Sequence, residues 1–197
     1  KFSATNNLLL VDLWPQGSRG LTTNIKIETP EDLSKLKPRS QPSFVIRKMY
    51  MNWGAYPRMS DYNTLYTLMS YGVVDSSDNP AANVFNSSLH HVQRYFYKTN
   101  HVYANYVVGI RKNFWEKLPA DIKAHVTKAL DETNKYSLTL AEIDDKTALE
   151  KLEMTGLIRI TEPKKEIVNF IKSKNDTIIN ELSPQQVELY NKIIKTK

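Results

Sequence analysis

The side chains best suited to chemistry lie between Leu36 and Pro80, where Arg39 is followed forty residues later by Asn79. An arginine guanidinium is a planar fork that pairs with a carboxylate through two parallel hydrogen bonds, which the point charge of a lysine does not do. An asparagine amide adds both a donor and an acceptor. Arg39 and Asn79 together predict a site for a small carboxylic acid, and we interpret it as a site for binding, not catalysis.

Local signals indicate how Arg39 is positioned. Leu36 to Pro38 predicts a short strand that leads through Arg39 into a helix begun by Pro42 and ended by Gly54. In an open α/β sheet, ligands bind where strands feed into helices. Three apolar residues are expected on the buried face of this helix: Val45, Met49 and Trp53.

Asn79 has a comparable setting. It follows a predicted two-residue strand, Val73–Val74, and precedes Pro80, which is typical of a helix start. The N–H groups and the dipole at a helix N-terminus favour an anion. The sequence therefore places a second polar group where a carboxylate would be stabilised.

Composition excludes several classes of protein. The 197 residues include no cysteine, so disulfides and thiolate chemistry are absent. No run approaches the roughly 18 apolar residues of a membrane helix, and we predict that the chain does not span a membrane. The net charge is +6, but the lysines are scattered, which favours a solvated surface over a nucleic-acid site.

The strand pattern predicts an α/β fold with a parallel sheet. Residues 8–14 are almost continuously apolar, as in a strand covered on both faces. Pro15, Gly17 and Gly20 are expected to end this strand, which leaves Arg19 in the break. Residues 102–110 predict a second buried strand.

A long helix is the other dominant element. The apolar pattern from Ile122 to Leu152 continues without glycine or proline until Gly156. At 1.5 Å per residue such a helix is about 50 Å long, more than the width of one small domain. It is therefore expected to span two lobes.

Short motifs in a fixed order extend over much of the chain. They are Gly17-Ser18-Arg19, Pro30-Glu31-Asp32-Leu33, Leu36-Lys37-Pro38-Arg39, Gly54-Ala55-Tyr56-Pro57, Tyr66, Val74-Asp75-Ser76-Ser77-Asp78-Asn79-Pro80 and Thr99-Asn100-His101. Their order and spacing resemble the DctP family, the solute-binding proteins of tripartite ATP-independent periplasmic (TRAP) transporters, over roughly residues 8–160. The resemblance implies a two-lobed, periplasmic-binding-protein-like clamshell with a long helix spanning both lobes.

The resemblance also implies roles for particular residues. Arg39 would clamp the ligand carboxylate and Asn79 would position the same group. Arg19, twenty positions before Arg39, and Tyr62 would also contribute to the ligand site, the tyrosine as an aromatic wall.

Behind these residues, the resemblance implies a charge-linked group of Arg19, Asp78 and His101. The carboxylate would hold both cations in place and support the ligand contacts without taking part in catalysis. Asp78 stands where the family has a glutamate, so its side chain is shorter.

The biological setting implied is a periplasmic protein that captures a small organic acid and passes it to integral-membrane TRAP permease subunits. No cofactor, metal or catalytic residue is predicted, and the protein is expected to be a monomer. Family members have more chain before the first strand, so the N-terminal lobe is expected to be incomplete. Residues 1–16 and 105–144 are assigned to its remnant and the spanning helix, and 17–104 and 145–197 to the second α/β lobe.

Two other functions stay open at this stage. A small α/β hydrolase or metal-dependent lyase could use His90, His91, Asp75 and Asp78, although adjacent histidines chelate one ion poorly and no nucleophile elbow or nucleotide loop is present. A basic module for RNA or DNA would bind with affinity that falls steeply with salt.

Overall fold

The computed structural model describes residues 7–194. Its main sheet has four strands in the order β4-β1-β5-β6, and a second sheet pairs β2 with β3. The strands are β1 (Leu8–Thr23), β2 (Arg39–Ser40), β3 (Arg58–Met59), β4 (Ser76–Asn79), β5 (Tyr95–Arg111) and β6 (Arg159–Thr161). The α-helices are α1 (Phe44–Asn52), α2 (Leu65–Ser70), α3 (Ala81–Asn86), α4 (Lys112–Lys117), α5 (Ala120–Thr155), α6 (Lys165–Asp176) and α7 (Pro184–Ile194).

The first strand differs from its prediction. β1 continues through Pro15 and Gly17 to Thr23 and pairs antiparallel with β5, so the expected parallel sheet and the break after residue 14 are wrong. Register shifts that include one between Pro15 and Gly17 absorb the irregular residues. Within the described residues, β4 pairs with β1 only from Gly20 onwards, so Pro15 lies where β1 has a single neighbouring strand, a position at which proline is tolerated. Arg19 therefore lies within a strand.

β4 joins the other edge of β1 where the site residues lie. Gly20 is the register partner of Asn79, and Ser76 forms an isolated parallel bridge with Pro38. The strand predicted at Val73–Val74 is wrong, because the ladder begins at Ser76. Bonding of Asn79 to β1 thus brings Asp78 and Asn79 beside Arg19.

Helix α1 faces the core with a different set of residues from the one predicted. It begins after Ser43, whose Oγ accepts a hydrogen bond from the N–H of Ile46. Val45 is 41% exposed, so its predicted inward position is wrong. The buried residues of this segment are Ile46, Met49, Tyr50 and Trp53.

The predicted long helix is confirmed. α5 has 36 residues, which corresponds to about 54 Å, and it ends at Gly156 with a φ of 64°. Asp145 of α5 accepts a hydrogen bond from the N–H of Ala81 at 3.1 Å, which ties the helix to the start of α3. Among residues 7–194, no helix is long and apolar enough to cross a membrane.

The apolar core consists of two clusters. One surrounds Leu33 and Trp53 and includes Ile167 and Ile171 of α6. The other surrounds Val74 and includes Leu152 of α5. By contrast, the far end of the β1–β5 pair exposes several large apolar side chains: Leu10, Leu13, Tyr103, Tyr106 and Val107.

Candidate ligand-binding site

Arg39, the first residue of β2, lies in the core with only 5% of its surface exposed. Its Nε donates a hydrogen bond to the carbonyl oxygen of Ser60 at 2.9 Å, just after β3. The two terminal nitrogens, Nη1 and Nη2, have no hydrogen bond or ion pair to any residue in the described range 7–194. Burial lowers the pKa of Arg39, an effect that Asp78 partly offsets, but an arginine stays protonated at neutral pH.

Tyr62 fixes one side of this guanidinium. The Cζ atom of Arg39 lies 5.7 Å from the centre of the Tyr62 ring, within the range of a cation–π contact. The Tyr62 hydroxyl and Ser87 Oγ are 2.9 Å apart, which anchors the ring on the segment after α3. The structure therefore brings Tyr62 against Arg39.

Asn79 is the last residue of β4 and is 3% exposed. Its Nδ2 donates a hydrogen bond to Ser77 Oγ at 2.9 Å, which orients the amide and leaves a second N–H on the same nitrogen. The residue is followed at once by Pro80 and α3. Its backbone position is fixed by pairing with Gly20 of β1.

The predicted pairing of Arg19 with Asp78 is present. Arg19 Nη1 lies 2.9 Å from Asp78 Oδ2, and Arg19 Nη2 donates to Gln41 Oε1 at 3.3 Å. The other carboxylate oxygen, Asp78 Oδ1, accepts a hydrogen bond from the hydroxyl of Tyr50 at 2.7 Å. Burial raises the pKa of Tyr50 well above its usual value, so this hydroxyl stays protonated and donates.

His101 does not have the implied role of a second cation on Asp78. Burial lowers its pKa to about 4, so it is neutral at pH 7. Its Nδ1 bonds Thr99 Oγ1 at 2.7 Å, while its Nε2 is buried without a hydrogen-bond partner. The hydrogen bonds to the Asp78 carboxylate come from Tyr50 and Arg19. His101 instead contacts the edge of Trp53, with ring centres 5.2 Å apart.

The resulting site has an uncompensated positive charge. Two guanidiniums, Arg19 half-buried and Arg39 buried, have one carboxylate near them, Asp78, which pairs with Arg19. His101 adds no charge. Arg19 Nε and Ser60 Oγ are also buried without a partner, which is uncommon unless a ligand or water completes the site. The arrangement suits an incoming carboxylate.

The residues considered for hydrolase or lyase chemistry are not brought together. Asp75 Oδ1 accepts from the N–H of Lys37 at 2.8 Å, which makes it a loop-stabilising residue. His90 stacks on Phe85 with ring centres 5.4 Å apart. No group of three His, Cys, Asp or Glu residues that could hold a metal occurs among residues 7–194.

The fold and the site define an α/β protein with a cluster of positively charged side chains at one edge of its sheet. The sequence profile of the bacterial extracellular solute-binding proteins, family 7 (DctP), matches residues 1–186. The chain belongs to this family, as its motifs predicted. It also has the mixed α/β, periplasmic-binding-protein-like fold of TRAP solute-binding proteins, with part of the two-lobed structure represented.

Two curated relatives illustrate the similarity. The chain is 32% identical over 143 residues to the C4-dicarboxylate-binding periplasmic protein DctP of Rhodobacter capsulatus, covering 73% of this chain and 43% of the relative. It is 30% identical over 158 residues to the C4-dicarboxylate-binding protein DctB of Bacillus subtilis, covering 80% of this chain and 45% of the relative. The chain therefore spans somewhat less than half of the length of these relatives.

A solved structure of a TRAP solute-binding protein has a fold similar to that of this chain. A TRAP periplasmic solute-binding protein from Sulfurospirillum deleyianum, with bound succinate, superposes with a TM-score of 0.81 at 28% identity. The match covers 90% of this chain and 59% of that protein.

Proposed function

We propose that the protein binds a small organic acid through one carboxylate group and delivers it to a TRAP-type transporter in the membrane. The observation that carries this proposal is the state of Arg39. Its side chain is buried, and within residues 7–194 its hydrogen bonding is through Nε alone. A buried charge is costly unless another group pairs with it. A ligand carboxylate would satisfy both terminal nitrogens through two parallel hydrogen bonds.

The remaining site residues fit this role. Tyr62 lies against the Arg39 guanidinium, Asn79 offers its second amide proton, and Arg19 adds positive charge nearby. The names of the two curated relatives and the succinate bound to the Sulfurospirillum protein support C4-dicarboxylates as the first ligands to test.

We infer that residues 1–16 and 105–144 contribute to one lobe and the spanning helix, and that 17–104 and 145–197 form the other lobe. The buried apolar side chains support this division, because those in the described range lie between residues 21 and 104 or between 148 and 178. Residues 1–6 and 195–197 of these segments lie outside the described range. Closure of the lobes would be driven by contacts that the ligand makes only in the closed state.

The setting proposed is extracytoplasmic. The protein would act as a monomeric carrier and not as an enzyme, and its partners would be the acid and the membrane subunits of the transporter. The family description and the periplasmic DctP relative support this placement.

Isothermal titration of the full-length natural protein with succinate, malate and a matched monocarboxylate tests binding. We expect binding by at least one acid and a loss of about 100-fold in Arg39→Ala, because removing one partner of a buried ion pair is strongly unfavourable. Arg58→Ala is the matched control, since Arg58 is exposed on the neighbouring strand. If no acid binds, or if Arg39→Ala binds as tightly as wild type, the proposal is wrong.

Uptake of the acid into vesicles that contain the membrane subunits of the transporter then tests delivery.

A further inference from the structure

We propose that Tyr50 is a positioning residue of this site: its hydroxyl holds Asp78 on Arg19 and so keeps Arg39 free for the ligand. The inference rests on the proposed function, because the benefit of a free Arg39 is the capture of a carboxylate. Tyr50 was not among the site residues predicted from the sequence. It lies on α1, a helix that contributes no other hydrogen bond to Asp78.

Both oxygens of Asp78 are occupied in the structure. Oδ1 accepts from the Tyr50 hydroxyl at 2.7 Å, and Oδ2 accepts from Arg19 Nη1 at 2.9 Å. The same Arg19 nitrogen also donates to the backbone oxygen of Asp78 at 3.3 Å. The carboxylate is thereby fixed in position and in rotation.

Without the Tyr50 hydroxyl, Asp78 would have an alternative partner. Asp78 interacts electrostatically with Arg39, whose pKa it raises against the larger effect of burial. Charges attract more strongly in a buried site than in water. With Oδ1 released and only Oδ2 still paired with Arg19, the Asp78 carboxylate would therefore compete with the ligand for the terminal nitrogens of Arg39.

Tyr50 is well fixed for this task. Its side chain is fully buried, and its ring meets the edge of Trp53 at 5.2 Å between centres. Trp53 is in turn held by a hydrogen bond from its Nε1 to Asn175 Oδ1 at 3.1 Å. An aspartate side chain is one methylene shorter than that of a glutamate, so the carboxylate of Asp78 lies close to the backbone of β4. The Tyr50 hydroxyl reaches the carboxylate at that position.

The first test compares two tyrosine-to-phenylalanine variants in the full-length natural protein. Tyr50→Phe removes only the hydroxyl, and we expect succinate to bind about tenfold more weakly, since hydrogen bonds to charged groups are among the stronger ones. Tyr97→Phe is the matched control, because Tyr97 is 3% exposed and its hydroxyl accepts a hydrogen bond from the N–H of Ile27 at 2.8 Å. This variant should lose thermal stability while its affinity stays within twofold of wild type.

A second measurement reports on Arg39 without any ligand. In ¹⁵N NMR of the ligand-free protein, Arg39 Nη groups that rotate freely in wild type should become restricted in Tyr50→Phe, because Asp78 then pairs with them. An affinity within twofold of wild type, or unchanged Arg39 signals, would overturn the inference. If wild type binds none of the acids, the proposed function fails instead, and the NMR comparison still decides whether Tyr50 keeps Asp78 from Arg39.

Discussion

Arg39 and Arg58 are register partners on the adjacent parallel strands β2 and β3, yet they have opposite environments. Arg39 is 5% exposed and has its Nε bonded to Ser60, whereas Arg58 is exposed. Two residues of the same type on neighbouring strands therefore provide a test residue and a control.

The first prediction concerns the shape of the cation. Arg39→Lys keeps the charge but loses the planar fork, so we expect succinate to bind about 10- to 100-fold more weakly. Arg58→Lys should leave the affinity unchanged. Isothermal titration at constant ionic strength measures both values, and equal binding by Arg39→Lys and wild type would contradict bidentate recognition.

The second prediction concerns pH. The pKa of His101 falls to about 4 on folding, from a usual value of 6.5. Between these values the unfolded chain binds a proton that the folded protein does not, so the free energy of unfolding decreases as the pH falls from 6.5 towards 4. Over this window the decrease is about 3 kcal/mol, or about 1.36 kcal/mol per pH unit.

Urea unfolding of wild type and His101→Gln at pH 7 and pH 4.5 measures this contribution. The variant should show a smaller loss of stability on acidification. His125→Gln, at an exposed position of α5, should behave as wild type. The same pH dependence in wild type and His101→Gln would show that His101 does not titrate on unfolding.

The third prediction concerns Gly20, the register partner of Asn79. A Cβ atom at this position would lie 2.3 Å from Phe96 Cζ and 2.8 Å from the backbone oxygen of Tyr97. Gly20→Ala should therefore lower the free energy of unfolding by about 1–3 kcal/mol. It should also weaken succinate binding, because a shift of Gly20 away from β5 moves Asn79, its register partner on β4.

Gly109→Ala is the matched control within the same pair of strands. Its Cβ would meet only the flexible side chain of Leu8, at 3.0 Å. Thermal unfolding and titration of both variants check the prediction, which is wrong if the two substitutions have equal effects.

The fourth prediction concerns the attachment of α5 to the core. Leu152 is fully buried in the second apolar cluster, so Leu152→Ala should lower the free energy of unfolding by about 2–5 kcal/mol. Leu189→Ala removes the same atoms from a side chain that is 59% exposed on α7 and should change stability little. Urea unfolding distinguishes them, and similar values would mean that α5 is not anchored by Leu152.

Much of the fold follows from local signals. Gly54, Gly72 and Gly156 mark helix ends and adopt positive φ angles, as their conformational freedom predicts. The extent of β1 could not be predicted, because Pro15 and Gly17 are typical of a break and only pairing with β5 shows that bulges absorb them. Local sequence cannot reveal a partner strand that lies some ninety residues away.

The site residues also fall into those that the sequence predicted and those that depend on tertiary contacts. Arg19 pairs with Asp78 as predicted, and Tyr62 lies against Arg39, a contact that was not predicted. The ligand roles of these residues and of Asn79 stay predictions. Tyr50 was missed because its hydrogen bond to Asp78, 28 residues later in the chain, depends on the tertiary fold. A signal was present: a tyrosine on the apolar face of a helix needs a partner for its hydroxyl.

The length of α5 has a mechanical consequence. With no glycine or proline among its 36 residues, the helix can act as a rigid rod, and its arm from Asp145 back to Ala120 is about 38 Å long, so a tilt of about 5° at Asp145 displaces Ala120 by about 3 Å. Asp145 is the fixed point of this movement, because it accepts a hydrogen bond from the N–H of Ala81, two residues after Asn79. A small rotation of α5 next to Asn79 would therefore become a larger movement at Ala120.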